Sequence, residues 1–520
     1  MVKKFLAYLH GWRGIALTAY MWLILMAWPV IYLDMASPAM KKRFYAVTVA
    51  EVILVIALLV CPRLLSWTDG LSISRDSEAL AGTARAKFFL KSWLATFGIF
   101  LLMYAIFYPG GFSFDSFNQY EQAIGMKKYN DWHPVLHTLF SFTLPLKLTG
   151  GWVGSIVLFQ IVLASLALAY MTLTIAEFGN RKYSILFLAY ILLNPATLAI
   201  MMYPWKDVAF AVAAMLSMIF AVRAYFSGGK SLESPANMFL FIVFISSATI
   251  FRHNAILFTF PLLIAVLFCA GRKQKIIIVT GCCVFIAAVR FVLYPYLDVQ
   301  KPGNRVVETT CMPMTVIANA VNEAPEKLDK DIIDFLYSVA PKEQWQEHYV
   351  TGSFNSVKFR GINSEPIENA GHAVILGMML RCFIQAPYAS LRGFAVLTKI
   401  VYSIFGFNDW GISPKTGDND YGIDKGGIRP LQSMFYLYAQ VTRAILKQFF
   451  WHIGVLLLAL VILILAKADL MKFCLAVPVI AYDFGTMLFL GGNDFRFFYV
   501  TYLVFPLAVL VLLRGGESES

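Results

Sequence analysis

Charge is scarce in this chain. Asp, Glu, Lys and Arg make up 14% of its 520 residues, where a soluble domain carries about 25%. Hydrophobic residues fill 59% of it and the mean hydropathy is +0.67, which excludes an ordinary soluble domain. Acidic residues are the scarcer sign, 31 against 43 basic, for a net charge of +12. Most Lys and Arg flank apolar runs, where they orient helices, so the surplus argues for a bilayer and not for nucleic acid. An anionic lipid ligand is compatible with the same surplus. Cysteines number seven and none stands at metal-ligand spacing. Most fall in apolar runs as small packed hydrophobes; only Cys311 and Cys382 fall in polar surroundings where a disulfide is open. No small-residue cleavage site follows the N-terminal MVKK, and the apolar run from Ile15 to Leu33 is long for a signal peptide, so it reads as a span. No short-period repeat is visible.

Long apolar runs are what the chain does have. Many approach or exceed the roughly 17–25 residues that cross a bilayer, and in lipid only a helix satisfies its own backbone polar groups. The fold expected is an all-α polytopic membrane protein of about twelve transmembrane helices, with juxtamembrane helices and a large loop on the outer side. Spans fall at about 14–33, 45–62, 92–108, 152–176, 184–203, 208–226, 236–252, 255–270, 276–296, 449–466, 471–489 and 495–513. Residues 1–91 form an N-terminal pair of spans with a basic loop, 92–296 a core with a first outer loop at 109–131, 297–430 a cap region, and 431–520 the final spans. Basic residues place both termini and the 63–91 loop in the cytoplasm. The stretch 133–148, broken by Pro134 and Pro145, reads as re-entrant or interfacial. The stretch 373–407 is left either on the interface or as one crossing.

The unusual stretch is Tyr108 to Thr138, which puts Asp115, Gln119, Asp131, His133 and His137 between strongly apolar segments. Ionisable groups pressed against lipid usually mark a function. The alternation of spans brings Asp115, Asp131, His133, Lys206, Asp207, Arg252, His253, Asn254, Asp494 and Arg496 to one membrane level. A carboxylate there can take a proton from a hydroxyl, and Arg or Lys can hold a phosphate. Together they suit group transfer from a lipid-linked phosphate, whose leaving group is already bound by positive charge. Blander roles compete: Asp115 as a helix cap, Lys206 and Asp207 as an interfacial pair, Arg496 as an aromatic-belt anchor, and Asp418, Asp420 and Asp424 as a solvated loop and not a cation site.

FSFDSFNQY with Asp115, DWHPVLHT with His133 and Pro134, YPWKD with Asp207, and NDFRFFYV with Arg496 give a pattern that resembles the GT-C class of integral-membrane glycosyltransferases. That class includes the protein O-mannosyltransferases, the lipid A aminoarabinose transferases and the oligosaccharyltransferases. The resemblance spans roughly residues 92–513 and implies a polyprenyl-phosphate sugar donor with transfer on the outer face by inversion. It implies Asp115 as general base and Arg496 with Lys206 or Arg252 on the donor phosphate. Asp207, Asp131, His133, His253, Gln119 and Asp494 then stand as substrate-binding candidates. Metal-dependent and metal-free members both exist, so a divalent cation stays open. The expected acceptor is an extracytoplasmic glycan or glycolipid at the plasma membrane. A transporter or flippase of lipid-linked saccharides, or an envelope polymerase or ligase, is the rival reading.

Overall fold

The computed structural model describes residues 11–32, 39–77, 80–303, 305–404, 414–424, 426–492 and 494–514. MVKK, Asn493 and part of the 408–430 loop lie outside the described residues. Among the described residues, nine helices are long and apolar enough to cross a membrane, or ten if the bent pair Arg181–Leu193 and Pro195–Met201 is one crossing. The protein is therefore a multi-pass helical membrane protein.

Three stretches expected as spans are shorter than that. Pro235–Phe251, Ile256–Cys269 and Ile453–Lys467 run for 17, 14 and 15 residues, or roughly 20–25 Å at 1.5 Å per residue. The first two are cut short where Arg252, His253 and Asn254 interrupt the apolar run. Glu365–Gln385, within the stretch left open, is long and apolar enough to cross. Val135–Leu148 is a short apolar helix whose middle, Leu139–Thr143, widens to π geometry. Pro145, which has no backbone donor, stands just after the widened turn.

Burial sorts the helices into centre and rim. The Lys206–Phe226 window is 78% buried and the Thr48–Asp69 window 11%, so the first is core and the second faces outward. Lys206–Phe226 packs on Gly154–Phe178, Pro235–Phe251, Ile256–Cys269 and Tyr499–Leu513. Its buried Ala211, Ala214, Ala221 and Ala224 allow those backbones close. A second apolar cluster covers one end of the bundle. There Cys311–Glu323 packs on Glu365–Gln385 and Pro387–Tyr402, around the buried Trp345, Phe354, Ile332 and Leu336. The Trp345 indole N–H donates to the carbonyls of Leu336 (3.1 Å) and Ala340 (3.0 Å), so no polar atom of that ring is stranded. Cys311 and Cys382 are both buried and free, so the disulfide left open is not formed.

Candidate functional site

Two turns set the Asp115 loop in place. At Gly111 the backbone N–H donates to the Met202 carbonyl at 2.8 Å, and a Cβ there would collide with the Tyr203 ring. Gly110 holds φ at 120° against Val157, a conformation open to glycine and strained for other residues. The pair of glycines is thus what lets residues 108–115 lie flat on the Met202–Trp205 turn. Asp115 follows in the first turn of the helix Phe114–Ala123, where a negative charge suits the helix dipole. It makes no cap; the Ser113 hydroxyl is taken by the Trp205 indole N–H at 2.8 Å.

The opposing turn comes from a broken helix. Asn194 before Pro195 stops Arg181–Leu193, because proline disfavours helical geometry in the residue before it. Asn194 Oδ1 then accepts from Ala196 (3.0 Å) and Thr197 and starts Pro195–Met201, bent 69° from its predecessor. The freed carbonyls of Met201 and Tyr203 are met by the buried Gln160 side chain at 2.7 and 3.0 Å. That turn delivers Trp205, Lys206 and Asp207.

Asp115 and Arg496 meet. The Arg496 guanidinium donates to Asp115 Oδ2 at 2.7 Å and pairs with Asp494 at 2.8 Å. It lies 4.8 Å from the Trp205 ring centre and 5.2 Å from that of Phe497, cation–π geometry that fixes its plane. Asp494 also accepts from the Arg496 backbone N–H at 3.1 Å. Burial alone would raise the Asp115 carboxyl, but Arg496, with Lys206 close by, overcomes it and holds the group at about 2. His133 Nε2 stands 3.9 Å from Asp115 Oδ1. Burial first, then Lys206, pushes the His133 imidazole well below its usual range, so it is neutral at pH 7 and that approach is not an ion pair.

Asp115, Asp131, Lys206, Asp207, His253 and Arg496 line one wall of a cavity of about 800 Å³. Lys206 Nζ donates to the Trp132 carbonyl at 3.2 Å. His253 Nε2 donates to the Asp131 carbonyl at 3.0 Å. The other candidates sit behind this wall. Arg252 is ion-paired with Asp207 and stacks over Phe497, 4.8 Å from its ring centre; it is not among the lining residues. Gln119 is fully buried, with Oε1 accepting from His137 Nδ1 at 2.6 Å and from Thr138 at 3.3 Å. His133 lines a smaller neighbouring cavity of about 330 Å³. Among the described residues, no three His, Cys, Asp or Glu side chains group to hold a metal ion.

Several contributors carried no sequence signal. The Asp131 carboxylate is taken by Arg290 Nη1 and the Tyr294 hydroxyl, each at 2.7 Å. The second wall of the large cavity comes from the end-covering cluster: Arg305, Glu308, Thr309, Cys311, Asn355, Lys358 and Phe359. A further cavity of about 640 Å³ is almost wholly apolar. It runs along Gly154–Phe178, Lys206–Phe226 and Pro235–Phe251, from Leu136, Phe140 and Phe251 to Tyr170 and Asn237. Its upper end adjoins the site, because the Phe251 ring packs 5.9 Å from that of His137 and precedes Arg252 in the chain.

The chain matches no protein-family model, no curated protein and no solved structure.

Proposed function

We propose that the protein is a GT-C-like membrane glycosyltransferase that moves a sugar from a polyprenyl-phosphate carrier to a glycan or glycolipid acceptor outside the cytoplasm. The observation that carries this is the joining of Asp115, Arg496 and Lys206 at one cavity of about 800 Å³, beside an apolar groove of about 640 Å³. The polar cavity suits a sugar phosphate. The groove suits the isoprenoid tail of the same molecule.

The chemistry follows from the charges. In the resting state Asp115 is committed to Arg496 and is a weak base. A donor phosphate that takes Arg496 and Lys206 as its counter-charges loosens that pair and raises the proton affinity of Asp115. The acceptor oxygen then attacks the anomeric carbon opposite the phosphate, and the carbon–oxygen bond to phosphate breaks with its electron pair going to the phosphate. The acceptor proton goes to Asp115. The second negative charge that develops on the polyprenyl phosphate is stabilised by Arg496 and Lys206 in place. Asp207 in the wall and Arg252 behind it neutralise each other. With the site on the outer face of the plasma membrane, both termini fall in the cytoplasm and the crossings total about twelve.

Mass spectrometry of cells lacking the gene tests the reading. The expected result is loss of one sugar from an envelope glycan with accumulation of its carrier-linked monosaccharide. Unchanged glycans, or accumulation confined to the cytoplasmic leaflet as a flippase defect would give, overturn it.

A further inference from the structure

The two walls of the large cavity differ in charge chemistry. On the first wall Arg496 is paired with Asp115 and Asp494, whereas Lys206 Nζ donates to the neutral Trp132 carbonyl and keeps its charge for a phosphate. On the facing wall, Lys358 Nζ sits 2.8 Å from both carboxylate oxygens of Glu308, and the Lys358 side chain is only 8% exposed. The buried cation of this wall is thus neutralised by a carboxylate, and its other lining cation among the described residues, Arg305, is exposed to solvent. Glu308, 32% exposed at its side chain, keeps acceptor capacity toward the cavity, since a carboxylate offers about four lone-pair sites. Lys358 spends two of its three donors on Glu308 and its third faces the Cys311 sulfur at 3.7 Å, so it holds Glu308 in place. The Asn355 side chain, whose buried Oδ1 has no hydrogen-bond partner, adds a second polar group, while the Thr309 hydroxyl is already engaged by the Arg305 carbonyl and His372.

Two bulky rings border the cavity, Phe359 with the Lys358 ammonium over one face at 4.7 Å and Phe489 at the end of the Leu470–Phe489 span. Phe359 is 77% exposed and Phe489 49%, and both line the cavity. An aromatic face with a few placed polar groups fits a ligand with apolar C–H faces and hydroxyl edges. A peptide held by strand addition is excluded on this wall, which is made of the helices Arg305–Thr309, Cys311–Glu323 and Asn355–Lys358 and offers no sheet edge.

We propose that Glu308, Asn355, Lys358, Phe359 and Phe489 form a saccharide subsite that holds the acceptor as a pyranose against the ring of Phe359. This rests on the transferase reading: the first wall holds the donor phosphate, the second fixes which acceptor hydroxyl faces Asp115. A cavity of about 800 Å³ has room for a sugar on each wall.

The test uses the full chain in lipid nanodiscs. Binding is measured for a panel of methyl glycosides and disaccharides, a pool of Ser- and Thr-containing peptides, and a polyprenyl phosphate. At least one saccharide is expected to bind, with Phe359→Ala and Glu308→Gln each weakening it about tenfold and moving polyprenyl phosphate affinity less than twofold. Phe359→Ala keeps the test intact if Glu308→Gln fails to fold, since that ring is largely exposed. The proposal is overturned if no saccharide binds, if Phe359→Ala binds it as the parent does, as rings that merely anchor the protein in the bilayer would give, or if the peptides occupy this wall instead. Failure of the transferase reading looks different: polyprenyl phosphate then does not bind, or binds regardless of Arg496.

Discussion

The bundle carries an arginine–carboxylate cluster at each end. At the end away from the cavity, Arg223 donates to Glu177 at 2.6 Å and to Thr174 at 3.0 Å, over the rings of Tyr170 and Phe178. Arg85 closes the other side of Glu177 at 2.5 Å. At the site end, Arg496 holds Asp115 and Asp494 over Trp205 and Phe497. The parts are alike. Their settings are not. Glu177 is 13% exposed, is wrapped by two guanidinium groups and lines none of the three large cavities, whereas Asp115 is 26% exposed and opens on one with Lys206 beside it. An ion pair stacked on aromatics is a fastening by default, and it becomes a site when it borders space and a further charge.

Substitutions at the two ends should therefore part company. Asp115→Asn is expected to lower sugar transfer by about 10²–10⁴-fold, the usual weight of a general base, beyond the drop in melting temperature that follows from its weakened pair with Arg496. Glu177→Gln should lower the melting temperature and leave the rate per folded molecule alone. Full activity in the Asp115 variant would end the assignment of the base.

One step down in size, Arg496→Ala should weaken polyprenyl phosphate binding by about 10–100-fold, as expected for lost hydrogen bonds to a charged group. Arg223→Ala should leave that affinity where it was, although both variants break a paired carboxylate and lose stability. A titration in nanodiscs reads this directly, and equal losses at both ends would erase the distinction.

Gly111→Ala addresses the scaffold beneath the site. A methyl group against Tyr203 should destabilise the fold by roughly 1–3 kcal/mol and shift Asp115 from its partner, visible as a lower melting temperature together with a lower kcat. A variant that melts with the parent would mean the loop tolerates more room than the contact implies.

The smallest effect is in pH. The folded Asp115 carboxyl is held at about 2 against an ordinary 3.8, so its contribution to stability is complete above about pH 4 and disappears as pH falls through 2. Asp115→Asn should flatten the loss of stability over that window. Parallel curves for variant and parent would show that the pair contributes little.

Much of the site was legible because lipid leaves few reasons for a charge. Asp115, Lys206, Asp207 and Arg496 each interrupt an apolar setting, and the alternation of crossings brings them to one level. What the sequence could not convey was rank among them. Arg252 interrupts its run as abruptly as Arg496 does, yet it is spent on Asp207 behind the wall. Arg290 lies inside the expected span 276–296, and only a contact 159 residues distant makes it the holder of Asp131. Asn194-Pro195 was read as the middle of a straight span, although that dipeptide has the chemistry of a stop followed by a start. Glu308, Asn355 and Lys358 lie in a stretch whose polarity marks it as loop or cap, and nothing local says which of its polar residues turn inward.

One junction binds the two walls together. The Asn355 N–H donates to the Gly491 carbonyl at 3.2 Å, and the Asn355 side chain lies where a Cβ on either Gly491 or Gly492 would intrude. Arg496 follows five positions later on the same strip of chain. A shift of Asn355 is therefore passed to the stretch of chain that carries Arg496, and any coupling of two ligands' affinities through this junction would be reciprocal.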